Sequence, residues 1–423
     1  MLSACSGSGS SKVSRQDNYY RPYDSSDTVL SENREYNAYG QYVPQIPQYG
    51  NVTTAPLNPP LYPVYPERVD PYQQYPDSTP LYSEVKKEKT KVAILLPLSG
   101  SNANLGKALL NAAQLAVFDV SSKDVELVPF DTYELGAGGA AAEALANDAK
   151  LIVGPVFAQD IAPVQAVVQN TSVMIMPLST DTSLADRGVF VMGLAPSDQV
   201  EAIVAYAVQK GMQNFTALIP NTVYGNLVAD VFNKAVVRHG GSVVGLEIYD
   251  KSGADLQEKT RALASSSSRI DAIFIPENSP VMNEVTQKLT SIGFNPQRTK
   301  ILGTGLWDVA EIGQKHPILV GAWYAAPDPV YRKGFMSSYK TFYGQEPPRL
   351  ASLAYDAVAM AAILSKNNIE YQEDTLTNPN GFVGMDGIFR LTPSGKVERA
   401  LAILEITPEG AKVIESAKSS FVN

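Results

Sequence analysis

The chain has 423 residues, 44% of them hydrophobic, and its 43 acidic against 34 basic side chains give a net charge of −9 at pH 7. That acidity, with no Lys/Arg cluster to offset it, excludes nucleic-acid binding by phosphate neutralisation. The length asks for two cores rather than one, no stretch approaches the roughly 18 consecutive apolar residues of a spanning helix, and the single cysteine, Cys5, excludes an intramolecular disulfide.

In chain order, Leu2-Ser3-Ala4-Cys5 comes first, followed by SGSGSS. This motif resembles the lipobox of bacterial lipoprotein signal peptides. The resemblance implies cleavage before Cys5, acylation there and, with Ser6 next, sorting to the outer membrane. Residues 6–89 are the least globular part. Prolines from Pro22 to Pro80 alternate with tyrosines from Tyr19 to Tyr82, more than half of the chain's 22 tyrosines. Proline fixes φ and removes a backbone donor, so neither a helix nor a central strand persists through such a segment. A disordered, partly polyproline-type linker is expected, with a maximal reach of roughly 200 Å at about 3.1 Å per residue. Its simplest role is a passive tether, and EVKKEKT at Glu84 to Thr90 reads as a solvated boundary.

Lys91 to Gly100, KVAILLPLSG, opens the folded part as a buried strand broken by Ser99-Gly100. Asn102 or Asn104 can cap a helix carrying Leu105, Leu109, Ala112, Ala116 and Val120 at helical spacing. Strands follow at 125–130, 151–153, 173–176 and 189–192, with helices at about 137–148 and 159–170 between them. A second series starts at Ala195-Pro196-Ser197, with Ser197 as a helix cap. Its strands are expected at 215–219, 242–249, 271–275, 300–302 and 318–323, and its helices at about 198–210, 221–239, 256–264 and 281–292. Two longer helices, about 330–343 and 350–365, precede final strands around 387–391 and 397–406. Strands alternating with helices of ten to fifteen residues imply βαβ units with a parallel sheet and helices on both faces.

The opening KVAILLPLSG, Gly154-Pro155, Tyr224-Gly225 and the closing GMDGIFRLTPSGKVERALAILEI resemble, in order and spacing, the type I periplasmic-binding-protein family. The resemblance covers about Thr90 to Asn423. It implies an α/β fold of two doubly wound parallel-sheet lobes joined by three crossovers, near Ala195, Pro327 and Phe382. Lobe one would then take residues 90–194 and 327–382, and lobe two residues 195–326 and 383–423. Within that family, a lipidated form with a Tyr/Pro tether is most similar to the penicillin-binding-protein activator lipoproteins. These act on bifunctional penicillin-binding proteins, the peptidoglycan synthases. Better-known members carry a helical-repeat domain where this chain has its linker.

In open α/β sheets, ligands gather at the carboxyl ends of the strands, and two facing sheets form a cleft there. Candidate cleft residues are Ser99, Gly100, Phe157, Ser179 and Thr180 on the first lobe, and Tyr224, Glu277, Asn278 and Trp307 on the second. Hydroxyls and helix amino ends suit a carboxylate, and Tyr and Trp supply apolar walls. Amino-acid-binding relatives place a Ser or Thr where this chain has Val156-Phe157-Ala158, and an acidic residue where it has Thr304-Gly305. Asp308 stands a little farther along. The amino-acid clamp therefore reads as eroded. This favours a regulator of a peptidoglycan synthase over the alternative, a substrate-binding lipoprotein for a small polar ligand.

Catalysis is not expected. His239 sits at a helix carboxyl end and His316 precedes Pro317, neither at metal-ligand spacing. No G-x-S-x-G elbow occurs. Gly136, Gly138 and Gly139 open a helix without the full dinucleotide fingerprint. No cofactor or metal is expected.

Overall fold

The computed structural model describes residues 88–422, apart from 265–268, 279 and 310. Cys5 and nearly all of the Tyr/Pro-rich segment lie outside the described residues.

The first strand, β1 (Thr90–Leu96), is apolar on both faces because helices cover both. It lies between β2 (Val125–Asp131) and β3 (Leu151–Val153), and β4 (Met174–Met176) completes a parallel sheet of order β2-β1-β3-β4. Ala93 and Leu95 point into a cluster with Ala140, Ala144, Ile161 and Val164, supplied by α3 (Ala137–Ala146) and α4 (Ile161–Val168). The four-residue α2 (Thr132–Leu135) bridges β2 to α3 and is capped by Asp131, which accepts the Tyr133 N–H. On the other face, α1 (Ala103–Val120) buries Ala108, Leu109, Ala112, Ala113 and Ala116.

The second sheet is built in the order β14-β13-β9-β8-β7-β5-β6. Its parallel part comprises β5 (Asn214–Pro220), β6 (Ser242–Tyr249), β7 (Ala272–Phe274), β8 (Lys300–Thr304) and β9 (Trp323–Ala326). One face is covered by α5 (Pro196–Gln209) and α6 (Val223–Arg238), around stacked Phe232 and Phe274. The other carries α7 (Leu256–Ala264) and α8 (Met282–Ser291), over Leu263, Ile273 and Leu289. After the short α9 (Ile312–Lys315) and β9, the chain returns to the first sheet as α10 (Pro329–Tyr343) and α11 (Ala351–Lys366). Almost every side chain of α11 is buried, and it packs along α1. Tyr339 and Tyr343 donate to the carbonyls of Ala108 and Asn111, and Lys366 to that of Val120.

The short α12 (Glu373–Leu376) leads to a small antiparallel sheet of β10 (Phe382–Gly384), β11 (Gly387–Leu391) and β12 (Val397–Arg399). The chain then re-enters the second sheet as β13 (Ala402–Thr407), antiparallel to β9, and ends it with β14 (Gly410–Glu415). Two α/β lobes joined by three crossings are thus the architecture.

Several local expectations are corrected. The second sheet is parallel only through β9, and β13 and β14 close it antiparallel. The apolar run at 318–323 is not a strand: Pro317–Leu319 forms a 3-10 turn, Gly321 takes a positive φ of 87°, and pairing begins at Trp323. Residues 189–192 form only isolated bridges, from Val189 to Ile175 and to Asp186, extended by the Phe190 and Met192 N–H groups donating to the carbonyls of Ile175 and Pro177. Asn102 occupies the cap position of α1 without a side-chain bond. Ser197 falls inside α5, because Pro196, with its fixed φ and no N–H, takes the first helical position. Side-chain caps on the longer helices come instead from Thr222 on α6 and Asp328 on α10.

Candidate functional site: the strand-end loops

The loops leaving the carboxyl ends of β1, β3 and β4 on one lobe, and of β5, β7 and β8 on the other, carry the expected cleft residues. At the end of β1 the shielded Ser99 hydroxyl lies beside the Asp131 carboxylate, short of full hydrogen-bond geometry. Asp131 accepts the N–H groups of Leu98 at 2.9 Å and Tyr133 at 3.0 Å. Burial works to raise its pKa, but Ser99 and these N–H groups outweigh burial and hold it below the usual carboxylate range. Gly100, at φ 69°, lies under the Tyr133 ring, and a Cβ there would come within 2.5 Å of the ring carbons. Any larger residue would have to displace Tyr133.

After β3, Gly154-Pro155 is cis, Val156 is buried and Phe157 is half-buried, so no hydroxyl is offered there. After β4, Ser179 is buried and accepts the Asp181 N–H at 3.1 Å, closing a local turn, while Thr180 is exposed.

On the second lobe, Tyr224 lies in the first turn of α6 and its hydroxyl meets Thr304 Oγ1 at 2.9 Å. Burial pushes the phenol up to about 12; the Thr304 bond opposes the shift and nearby Glu277 adds to it. Glu277 is buried after β7, where it accepts the Tyr249 hydroxyl at 2.5 Å and the Asn278 N–H at 2.8 Å. Burial and this carboxylate both drive the Tyr249 pKa upward. Asn278 donates its side-chain amide to the Leu306 carbonyl at 2.6 Å.

Trp307 is not an apolar wall. It is fully buried in the core of the second lobe, edge-on to Tyr324, and donates Nε1–H to the Glu277 carbonyl at 2.8 Å. Its ring fills the space over Gly303, where a Cβ would come within 2.4 Å of it. At Thr304-Gly305, the Gly305 N–H is taken by the side chain of Gln199, from α5, at 2.7 Å.

Ser179, Tyr224, Glu277, Asn278 and the Gly305 N–H are therefore engaged by partners from their own lobe, whereas the Ser99 hydroxyl makes no full hydrogen bond and Thr180 is exposed. The strand-end rim exposes apolar side chains, Tyr133 (66% exposed), Leu135, Val223 (91% exposed), Leu227, Leu306 and Val309, interspersed with exposed polar ones such as Thr180, Asn221 and Asn278. Asp131, Tyr133, Gln199 and Tyr249, which occupy the expected ligand groups, were not among the sequence-derived candidates. Asp131 and Tyr249 each end a strand and so were locatable, whereas nothing in the pattern of α5 marks Gln199. His239 bonds Glu201 at 2.8 Å on the surface of the second lobe, and burial, followed by nearby Lys315, lowers the His316 pKa. Among the described residues no group of three or more His, Cys, Asp or Glu could hold a metal ion, and no helix is long and apolar enough to cross a membrane.

Several known proteins are similar to this chain. An uncharacterized protein from Rickettsia prowazekii is 21% identical over 187 residues, 44% of this chain and 50% of that protein. The penicillin-binding protein activator LpoA of Photobacterium profundum is 29% identical over 150 residues, 34% of this chain and 24% of the activator. The Leu/Ile/Val-binding protein BraC3 of Rhizobium johnstonii is 27% identical over 230 residues, 51% of this chain and 61% of BraC3. The chain thus spans half or less of the first two relatives' length. Among solved structures, a putative branched-chain amino acid ABC transporter protein from Rhodospirillum rubrum superposes with a TM-score of 0.68 at 19% identity, covering 77% of this chain and all of that one. A Rhodopseudomonas palustris solute binding protein in complex with 3,4-dihydroxy benzoic acid gives 0.57 at 18%, over 79% of this chain and 98% of the other. Both likenesses concern the fold. Residues 89–409 match the periplasmic binding protein family model, and the chain belongs to that family.

Proposed function

We propose that this chain is an envelope lipoprotein, held at the outer membrane through acylated Cys5, that binds a bifunctional penicillin-binding protein and activates its peptidoglycan synthesis. One observation carries the reading. Four of the groups that would grip a small polar ligand are engaged at home: Glu277 by Tyr249, Tyr224 by Thr304, Ser179 by Asp181, and the Gly305 N–H by Gln199. Freeing each for a ligand would forfeit a bond in a shielded site, at about 0.5–1.5 kcal/mol apiece. The exposed apolar side chains of the rim, Tyr133, Val223 and Leu306 among them, suit a protein surface better than a zwitterion. The similarity to activator LpoA points the same way.

Adding the purified full chain to a bifunctional penicillin-binding protein is expected to raise its glycan polymerisation several-fold, and the tagged chain to capture that synthase from envelope extract. Unchanged polymerisation together with no capture would overturn the reading.

A second reading, a substrate-binding lipoprotein feeding a transporter or sensor, is favoured by the longer match to BraC3 and by the fold neighbours. It expects a small ligand at about 100 times its Kd to add about 2.7 kcal/mol of stability. A broad metabolite screen with no rise in Tm would count against it.

A further inference from the structure

A groove of about 490 Å³ runs between α8 and the segment that leads into β9, and none of its lining residues is among the cleft candidates. That size falls in the roughly 300–1,000 Å³ range of ligand sites. One wall comes from α8, where Asn283, Gln287, Thr290 and Ser291 recur at i, i+4, i+7 and i+8 and so share one exposed face of the helix. The other wall is His316, Pro317 and Ile318. Both are held by one core: Met282, Val285 and Leu289, on the inner face of α8, pack in the same cluster as Ile312 and Leu319. Backbone bonds fix the second wall further, since the His316 N–H donates to the Ile312 carbonyl and its own carbonyl accepts the Leu319 N–H, both at 2.9 Å. The groove is therefore formed before any ligand arrives.

Its chemistry is hydrogen-bonding and uncharged. The Asn283 and Gln287 amides make no side-chain hydrogen bond among the described residues, so each offers both donors and an acceptor. Thr290 and Ser291 donate their hydroxyls to the Thr286 and Lys288 carbonyls, at 2.8 Å each, which leaves the two oxygens as acceptors. His316 is only 8% exposed, yet its ring nitrogens have no hydrogen-bond partner among the described residues. Buried polar side chains are rarely left so. Burial, followed by Lys315, lowers its pKa, so the ring is neutral at pH 7, with one nitrogen a donor and the other an acceptor. The one charged side chain among the described lining residues, Lys315, is paired with Glu311 at 3.5 Å. No large exposed apolar side chain lines the groove either. Neither an anion nor an apolar protein surface is matched.

We propose that this groove is a saccharide site, taking a short run of neutral sugar units whose hydroxyl and amide groups meet Asn283, Gln287, Thr290, Ser291 and His316. Pro317 and Ile318 supply the apolar strip for the face of a sugar ring. The site lies apart from the strand-end loops, so it stands or falls separately from the function proposed above.

Titration calorimetry of the full chain with tetra-N-acetylchitotetraose, together with co-sedimentation on purified peptidoglycan sacculi, tests it. Two exposed positions of α8 supply variants that keep the fold, checked by an unchanged Tm: Gln287→Ala, which removes one amide, and Thr290→Arg, which fills the groove. The tetrasaccharide is expected to bind the parent. Gln287→Ala should weaken it roughly two- to tenfold, as the loss of one hydrogen bond does, and Thr290→Arg should abolish it. Binding of both tetrasaccharide and sacculi, reduced by the same variants, would make the glycan strand of the wall the source, and binding of the tetrasaccharide alone a free oligosaccharide; either outcome supports the site. Sacculi retained by a chain that ignores the tetrasaccharide would mean that wall peptide is recognised, and would overturn it. So would the absence of binding to either, or tetrasaccharide binding unchanged by Thr290→Arg.

Discussion

The Tyr249 hydroxyl donates to the Glu277 carboxylate across 2.5 Å, joining the end of β6 to the end of β7 inside a solvent-shielded pocket. The geometry makes Glu277 a structural acceptor. Tyr249→Phe removes that donor while keeping the ring, taking one charge-assisted hydrogen bond from the buried carboxylate, and is expected to cost about 1–3 kcal/mol. Urea denaturation would read the change as a lower midpoint at constant m. Synthase stimulation by the folded variant should match the parent. A loss of stimulation without a loss of stability would instead make Glu277 part of a working surface.

Trp307 gives a second test of core against cleft. The chain has two tryptophans, and Trp307 is fully buried while Trp323 is half-buried. Trp307→Ala removes the ring that fills the space over Gly303 and the Nε1–H bond to Glu277, and is expected to cost about 3–5 kcal/mol, as aromatic truncations in cores do. In a Trp323→Phe background the remaining emission should be blue-shifted and unmoved by collisional quenchers until unfolding. Strong quenching in the native state would place the ring at the surface.

The difference between Trp307 and its neighbours shows what the sequence could and could not carry. Apolar runs such as Val92–Leu96 and the spacing in α1 locate strands and helices, because period and burial are local properties. A Trp after Gly305 also reads locally as a loop residue. Its burial depends on Gly303 and Tyr324, which only the folded β8–β9 pair brings beneath it. The same holds for Arg332, Arg349, Asp356, Asp386 and Arg399: each looks like an ordinary charged residue, and their convergence follows from three crossings between two sheets. β14 was missed for another reason. Its sequence, GAKVIE, lies on an exposed edge with little alternation, so an antiparallel pairing to β13 left almost no pattern to read.

Asp271 links the starts of β5 and β7. It accepts the N–H groups of Gln213 and Asn214 and the Asn214 amide, and pairs with Arg269. Burial pulls its pKa up, but these donors and the Arg269 charge hold it below the usual range. A carboxylate depressed in the folded state contributes stability that is fully present above its unfolded pKa, about 3.9, and that is lost as pH falls through the lower folded value. Asp271→Asn should therefore be less stable than the parent at neutral pH, and the two should converge in acid. Chemical denaturation at pH 7, 5 and 3 would show it; a gap that widened toward low pH would contradict the assignment.

The Arg399–Asp356 pair makes the sharpest stability prediction, because both side chains are buried and the pair sits where β12, α11 and the β10–β11 turn meet. Attraction between buried charges is offset by the cost of removing both from water, so the pair as a unit need contribute little. Removing one partner is different, since it leaves the other charge buried without compensation. Arg399→Met also loses the bond to the Met192 carbonyl and the stacking of the guanidinium 4.8 Å from the Phe389 ring centroid, and is expected to cost about 3–5 kcal/mol. Adding Asp356→Leu should recover part of that loss rather than compound it, giving a favourable coupling term in a double-mutant cycle. If the two losses simply add, the carboxylate is compensated by Met385 and its other neighbours, and the pair is not what holds the crossings together.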